Sequence, residues 1–594
     1  MLAQGMRIGL IVSSKTPEGI ESPVDEQSSI VQDKSVSIAR GMALSNEPGL
    51  GELTLGGFIR QVAERFSDRE ALVQRRPDGT VECWSYRDLW DRSIEVAKAL
   101  VACGLAKGGR VGVLMTNRAE FLSAAFGTAL AGGTVAPLST FSTLHELEYL
   151  AASTACSVFL FQRGVLKKDF AQMLCQLEPA ICAAAPGRLA SLRFPFLRHL
   201  AMVDSDTPMG AIETWDAFLA RGGGVSLAQI EARAATVYPS DPGVLFFSSG
   251  STNMPKGILS AHRGVTIQLW RMRRQQGLGD DVRTWTANGF FWSGNFAMVV
   301  GGTLSAGGTL VLQRTFQPEE ALDLLDAERV SFPFAWPHQW AQLEAAANWD
   351  KVDLSSLKYI DVDSPIARHP TVKTTWIEPR HCYGNTETFT LSTGYPANTS
   401  REVAGNSHGP PLPGNSLKIV DPLTGIVVPM GKRGEIAIKG PTLMLGYLSI
   451  PLDETLDDEG YFRTGDGGHL DEAGRLFWEG RLNDIIKTGG ANVSPVEIDS
   501  VIKDCPGVKV TQTVGVPHEM LGELVVTCIV PHEGAMLDED TVRNFAREKL
   551  ASYKVPRRVL LFRESDLQLT GSAKVKTGDL RNLAARILQA EAAS

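Results

Sequence analysis

The sequence predicts an α/β protein, with a large N-terminal domain of layered α/β sheets followed by a small C-terminal α+β domain. Helix-period segments alternate with short, continuous apolar runs over most of the chain, the pattern of strands buried in parallel sheets. That alternation stops near Arg481, beyond which the elements follow a different order. At 594 residues the chain is also too long for a single hydrophobic core.

Taken in order, the chain begins with a short apolar run at 8–12, too short for a secretory h-region, and a polar, unpatterned stretch at 13–50. Residues 1–50 are therefore expected to be a loosely ordered extension. Regular patterning starts at Glu52. A helix is predicted over 86–103, with Leu89, Val96, Leu100 and Val101 on one face and Gly104 placed to end it. A strand follows at 111–115, then a helix at 120–130 and a strand at 134–137. The alternation returns with a strand at 309–312, a helix at 318–327, a strand at 330–334, a helix near 339–347 and a strand at 359–362. Two α/β layers are the natural reading, within a large domain spanning 51–482. The remainder, 483–594, opens with Ser494-Pro495-Val496-Glu497, a capping box with proline at the first helical position. Strands at 508–516 and 524–530, a helix at 539–550 and a strand at 558–562 complete the small unit.

Composition narrows the function. With 43% hydrophobic and 21% charged residues the chain is an ordinary globular protein, and its net charge of −9 offers no footprint for nucleic acid or an anionic membrane. No apolar run is long enough to span a bilayer. The eight cysteines show neither C-x-x-C nor Cys/His metal spacing, and are expected to be reduced in a cytoplasmic protein. Small-molecule chemistry is the better expectation.

The chain is organised around Leu245 to Gly257, LFFSSGSTNMPKG. An apolar strand (Val244 to Phe247) runs into Ser248, Ser249, Gly250, Ser251 and Thr252, and the segment ends at Pro255-Lys256-Gly257. Glycine lets backbone amides approach an anion, four hydroxyls supply neutral donors, and Lys256 adds a point charge. It is not a Walker loop, because Gly257 follows the lysine and 258–262 reads as a second strand instead of a helix. Taken alone, the same residues fit an ordinary Gly/Ser hairpin.

The loop resembles the phosphate loop of the adenylate-forming superfamily, T-S-G-T-T-G-x-P-K-G, with Asn253 in place of a glycine. Five further segments match that family in order: Tyr383-Gly384-Asn385-Thr386-Glu387, Gly434 to Gly440 with Tyr447, Tyr461 to Asp466, Gly480 to Gly490, and Thr570 to Lys574. The resemblance covers 52–581 and implies an acyl-CoA synthetase type of carboxylate–CoA ligase, using ATP, Mg²⁺ and coenzyme A on a carboxylic acid, expected to be a hydrophobic or fatty acid. It implies that Ser248, Ser249, Gly250, Ser251, Thr252 and Lys256 hold phosphates, that Glu387 and Thr252 serve Mg²⁺, and that Thr386 donates to the α-phosphate. Tyr383, Gly384, Asp466 and Arg481 would border the adenosine. Lys574 would reach the reacting carboxylate and α-phosphate from the small domain, a lid that turns about Asn483 to bring Gly489 and Gly490 to the coenzyme A tunnel. Phe290, Phe291 and Trp292 would shape the acyl pocket. An oligomer, if one forms, is expected to be a homodimer.

The departures fall on the acyl and adenine contacts: Phe291 stands where histidine is frequent, Val362-Asp363-Ser364-Pro365 replaces G-G-A-P, and Gln568 and Ala573 alter the lysine loop. Two other outcomes stay open, an acyl-AMP ligase serving a carrier protein and a nucleotide-binding paralogue without catalysis.

Overall fold

The computed structural model describes residues 35–76, 79–248, 255–379, 381–484, 486–488, 491–518, 521–550, 554–563 and 577–593. Among the described residues three large sheets, with a small two-stranded ribbon at 164–169, build the large domain. The first has eight strands in the order Ile212–Thr214, His199–Val203, Val158–Gln162, Arg110–Leu114, Thr134–Pro137, Pro242–Phe247, Gly257–Ala261 and Gly446–Tyr447. Its first six strands run parallel. They are apolar on both faces, as helices covering both sides require. The last two pairings are antiparallel.

The second sheet has five strands, Phe332–Phe334, Arg283–Thr286, Thr309–Leu312, Glu70–Arg75 and Val81–Ser85, parallel except for the final hairpin. Between these sheets lies the main core. Helix Ala119–Leu130 is buried at every position except Glu120, so it is apolar all round where a surface helix would show one stripe. Helix Tyr86–Ala102 packs beside it, capped by Ser85 in a reciprocal box with Asp88 and ended at Gly104, whose φ of +77° suits glycine.

The third sheet is antiparallel: Ile38–Arg40, Ser416–Val420, Gly434–Lys439, Phe462–Leu470 and Leu476–Arg481. Its edge corrects the expectation of a loose extension over 1–50, at least for residues 35–50. Ile38–Arg40 pairs with Ser416–Val420, and the Glu47 carboxylate grips the buried Arg271 guanidinium at 2.7 Å. Three residues carry no readable period, so their partner strand alone defines them.

Two other expectations change. Residues 359–362 form no strand. The Asp361 carboxylate accepts the backbone amides of Asp363 and Glu378, both at 2.9 Å, and this local alternative replaces ladder pairing. Cys175 and Cys182 are joined by a disulfide with their Cα atoms 5.6 Å apart. The turn between helices Phe170–Leu177 and Ala180–Ala183 brings the two together, which a seven-residue spacing does not reveal. Among the described residues no helix is long and apolar enough to cross a membrane.

The small C-terminal domain pairs Ala491–Val493, Ile486–Thr488, Gly522–Pro531 and Val508–His518 in one sheet, with Arg558–Leu561 added parallel to Gly522–Pro531. Ser494 caps helix Pro495–Ile502 by accepting from the Glu497 amide, but the Glu497 carboxylate turns instead to Lys554 at 2.6 Å, so only half of the expected box forms. Inside this unit Asp499 accepts the Thr513 hydroxyl at 2.7 Å and the Thr513 amide at 3.1 Å. Burial nevertheless pushes its carboxyl up to about 6. The fold therefore keeps a proton that the unfolded chain has already released. Stability from this group is fully present below about pH 4 and falls by on the order of 2–3 kcal/mol as the pH rises to about 6, above which it is flat. The Asp499→Asn variant is expected to lose that decline. Urea midpoints of both proteins at the two ends of the window check it, and an equal pH shift in the two would overturn it.

Candidate active site

The site is built at the carboxyl end of strand Pro242–Phe247, where the chain leaves the eight-stranded sheet and returns as Gly257–Ala261. The base of this loop is closed by Ser248: its amide donates to the Lys256 carbonyl at 2.9 Å, and its hydroxyl accepts the Lys256 amide at 3.1 Å. The ammonium of Lys256 lies 5.0 Å from the centre of the Tyr447 ring. Tyr447 arrives through strand Gly446–Tyr447, which pairs with Ile258 and Leu259 on the returning strand. Its hydroxyl donates to Glu387 at 2.7 Å. Burial and the adjacent Glu387 carboxylate both push the Tyr447 hydroxyl well above the ordinary phenol range, so it stays a donor.

Glu387 sits on a single tight turn, Thr386–Thr388, capped by Asn385, which accepts the Thr388 amide at 3.0 Å. The turn is followed by two residues with positive φ, Phe389 at +47° and Thr390 at +93°. That reversal folds the Thr390 carbonyl against Gly384, where any Cβ would collide with it, so glycine is required by close approach. The Thr390 hydroxyl reaches the Ser293 carbonyl at 3.4 Å and ties the aromatic segment to this turn.

On the other side, Tyr383 donates to Asp466 at 2.6 Å, and Arg481 Nε lies 3.1 Å from the second Asp466 oxygen. The antiparallel register explains the pair, since Asp466 and Arg481 stand opposite each other on adjacent strands. Asp466 is only 4% exposed. Burial raises its pKa above the usual carboxylate range, while the Arg481 charge and the Tyr383 hydroxyl pull the other way. Arg481 is also held by the Thr464 carbonyl at 2.7 Å.

Ser248, Lys256, Tyr383, Gly384, Thr386, Glu387, Asp466 and Arg481 are thus gathered from segments far apart in sequence, on one side by Tyr447 and on the other by Tyr383. Ser249, Gly250, Ser251, Thr252, Gly489, Gly490 and Lys574 lie outside the described residues. Asn483 falls in the short turn Leu482–Asp484 that follows Arg481. Of the three aromatics expected to shape the acyl pocket, Phe290 and Phe291 are buried. Phe290 is 1% exposed in the main core, with its ring 5.6 Å from Phe121, while Phe291 packs on Phe141 and Trp292.

A cavity of about 180 Å³ lies behind Tyr383, bordered by its neighbour Cys382, by Met272 and Gln276 of helix His262–Gln275 and the turn after it, and by Phe334 and Trp376. Pattern reading missed it. The closely spaced aromatics Phe332, Phe334 and Trp336 were the available signal, and two of the three do line or adjoin it.

A carboxylate beside a loop rich in hydroxyls and ending in a lysine is the ligand type that suits Mg²⁺, which keeps several waters and takes one or two carboxylates along with substrate phosphates. Glu387, with one oxygen given to Tyr447, supplies that ligand type.

The family model described as AMP-binding enzyme matches residues 59–448, and that of the AMP-binding enzyme C-terminal domain matches 497–574. Among curated relatives, the mitochondrial medium-chain acyl-CoA ligase of Danio rerio is 29% identical, covering 91% of this chain and 89% of that protein. The indoleacetate–CoA ligase of Aromatoleum aromaticum is 29% identical over 84% of this chain and 93% of its own. Among solved structures, ATP-bound MatB from Rhodopseudomonas palustris superposes with a TM-score of 0.70 at 26% identity, over 90% of this chain and 99% of that one.

Proposed function

The chain belongs to the AMP-binding enzyme family, and from that premise we propose that it activates a hydrophobic carboxylic acid with ATP and passes the acyl group to coenzyme A. In the first step a carboxylate oxygen attacks the α-phosphorus, the bond to the bridging oxygen breaks, and pyrophosphate leaves with its electrons. In the second, the thiol sulfur attacks the acyl carbon, AMP leaves, and the thiol proton passes to solvent.

A carboxylate is already nucleophilic near neutral pH, so no general base is needed. The barrier is repulsion between anions and charge growing on phosphate oxygens, and the remedy is positioning plus cations and donors. Asp466 offers a carboxylate to vicinal ribose hydroxyls, with Arg481 and Tyr383 fixing its orientation. Thr386 donates to the α-phosphate, Ser248 and Lys256 with the loop they close hold the outer phosphates, and Glu387 would hold Mg²⁺, which supplies charge neutralisation when bound. Lys574 acts in the first step, and rotation about Asn483 then exchanges it for the Gly489-Gly490 face.

The observation that carries this reading is the direct coupling of the phosphate-loop lysine to Glu387 through Tyr447, opposite the Tyr383–Asp466–Arg481 group. The relatives' acids, medium-chain and indole-containing, both suit a cavity walled by methionine and aromatic rings. A panel of alkyl and aryl acids, scored by AMP release with and without coenzyme A, tests it. Release that requires coenzyme A and yields a thioester is expected. Release of AMP without thioester would point to a different acceptor, and none with any acid would overturn the ligase reading.

A further inference from the structure

The end of the phosphate loop is held by a side chain that belongs to none of the motifs. Tyr149, on helix Leu144–Thr154, donates its hydroxyl to the Pro255 carbonyl at 2.9 Å, across 106 residues of sequence. The opposite end of the same peptide unit is also bonded, because the Lys256 amide donates to the Ser248 hydroxyl at 3.1 Å. A trans peptide is planar, with its C=O and N–H pointing in opposite directions, so bonds at both ends fix the plane. Proline has no N–H, which leaves the carbonyl as the one backbone group by which Pro255 can be held.

The mount behind Tyr149 is firmly packed. Leu147, Leu150, Ala151 and Thr154 recur at helical spacing and are buried, and Thr143 and Glu146 close the first turn as a reciprocal box. At the far end Arg110 donates to the Thr154 carbonyl at 3.0 Å. The Tyr149 ring packs on the same apolar cluster as Phe247, the last residue of the strand that enters the loop. Helix and loop base therefore share one core, and the reach from hydroxyl to carbonyl is set by that packing.

We infer that Tyr149 is a positioning residue for ATP: it sets the plane of the Pro255–Lys256 peptide, and through it the angle at which Lys256 leaves the chain towards Tyr447 and the outer phosphates. The inference rests on the reading of this loop as the holder of those phosphates. Without the hydroxyl the peptide unit keeps only its bond to Ser248 and can turn about it. Lys256 then samples several directions, and ordering it again is a cost that falls on phosphate binding. AMP lacks both outer phosphates, so its binding does not draw on this order. Neither does attack of a thiol on an acyl-adenylate already formed.

Tyr149→Phe removes the hydroxyl and keeps the ring in its packing. Calorimetric titration of the full-length protein with ATP in the presence of Mg²⁺, and separately with AMP, reads the two cases. Affinity for ATP is expected to fall by about three- to tenfold, the worth of one net hydrogen bond, while affinity for AMP is unchanged. In pyrophosphate exchange KM for ATP is expected to rise by the same factor, with thioester release from synthetic acyl-adenylate unaltered. Equal losses for ATP and AMP would mean that the hydroxyl supports the fold as a whole, and no loss for either would mean that the loop is held without it; both outcomes would overturn the inference. A split between ATP and AMP in a protein that activates no acid would uphold it and count against the ligase reading instead. A wild-type protein that binds no ATP would overturn both.

Discussion

Replacing Lys574 by alanine is expected to lower acyl-adenylate formation by on the order of a thousandfold, while thioester formation from preformed acyl-adenylate changes only a few fold. The pentacoordinate α-phosphorus forms only in the first step, so a cation held against it in that orientation of the small domain stabilises that transition state, whereas in the second step charge passes to the departing phosphate after the lysine has been turned away. Pyrophosphate exchange reads the first step, and thioester release from synthetic acyl-adenylate reads the second. Equal losses in both would refute a lysine that serves one orientation of the lid, and would reduce Lys574 to a structural residue of its loop.

Asp466→Ala is expected to lower kcat/KM for ATP by about a hundredfold or more, through loss of charge-assisted bonds to the ribose. Asp466→Asn should cost closer to about tenfold, because the amide keeps one acceptor for Arg481 while its nitrogen can donate to the Tyr383 hydroxyl. The structure adds a control. Asp466 is buried and pairs with both Tyr383 and Arg481, so the alanine variant also strips a partner from a buried phenol. Tyr383→Phe removes that hydroxyl without touching the carboxylate. Calorimetric titration with ATP on folded variants decides the matter. Unchanged affinity in Asp466→Ala would return the residue to the role of an internal ion pair.

Much of the site was legible because its chemistry is written in short, contiguous motifs. Ser248 and Lys256 flank a turn between two apolar runs, and the hairpin reading of 258–262 as a strand is what the structure shows. Tyr383, Gly384 and Glu387 likewise occupy five consecutive residues, and glycine at 384 answers a steric demand of the Thr390 carbonyl nearby in the chain. The pairing of Tyr447 with Glu387 was not legible. It depends on a two-residue strand meeting Ile258 and Leu259 nearly two hundred residues away, and nothing local encodes such a register.

By itself the sequence determined the α/β alternation, the separate small unit and the order of the charged groups, because periodicity, capping and turn chemistry act over a few residues at a time. Tertiary structure alone decided the strand at 38–40, the absence of one at 359–362 and the Cys175–Cys182 bond. It also decided that Phe290 is absorbed in the core and that a cavity opens between Phe332, Trp376 and Cys382. The physical reason is that contacts between side chains and segments, whether seven residues apart as at Cys175–Cys182 or several hundred as at 38–40, depend on how the chain turns and packs, and a periodic pattern carries no information about the partner.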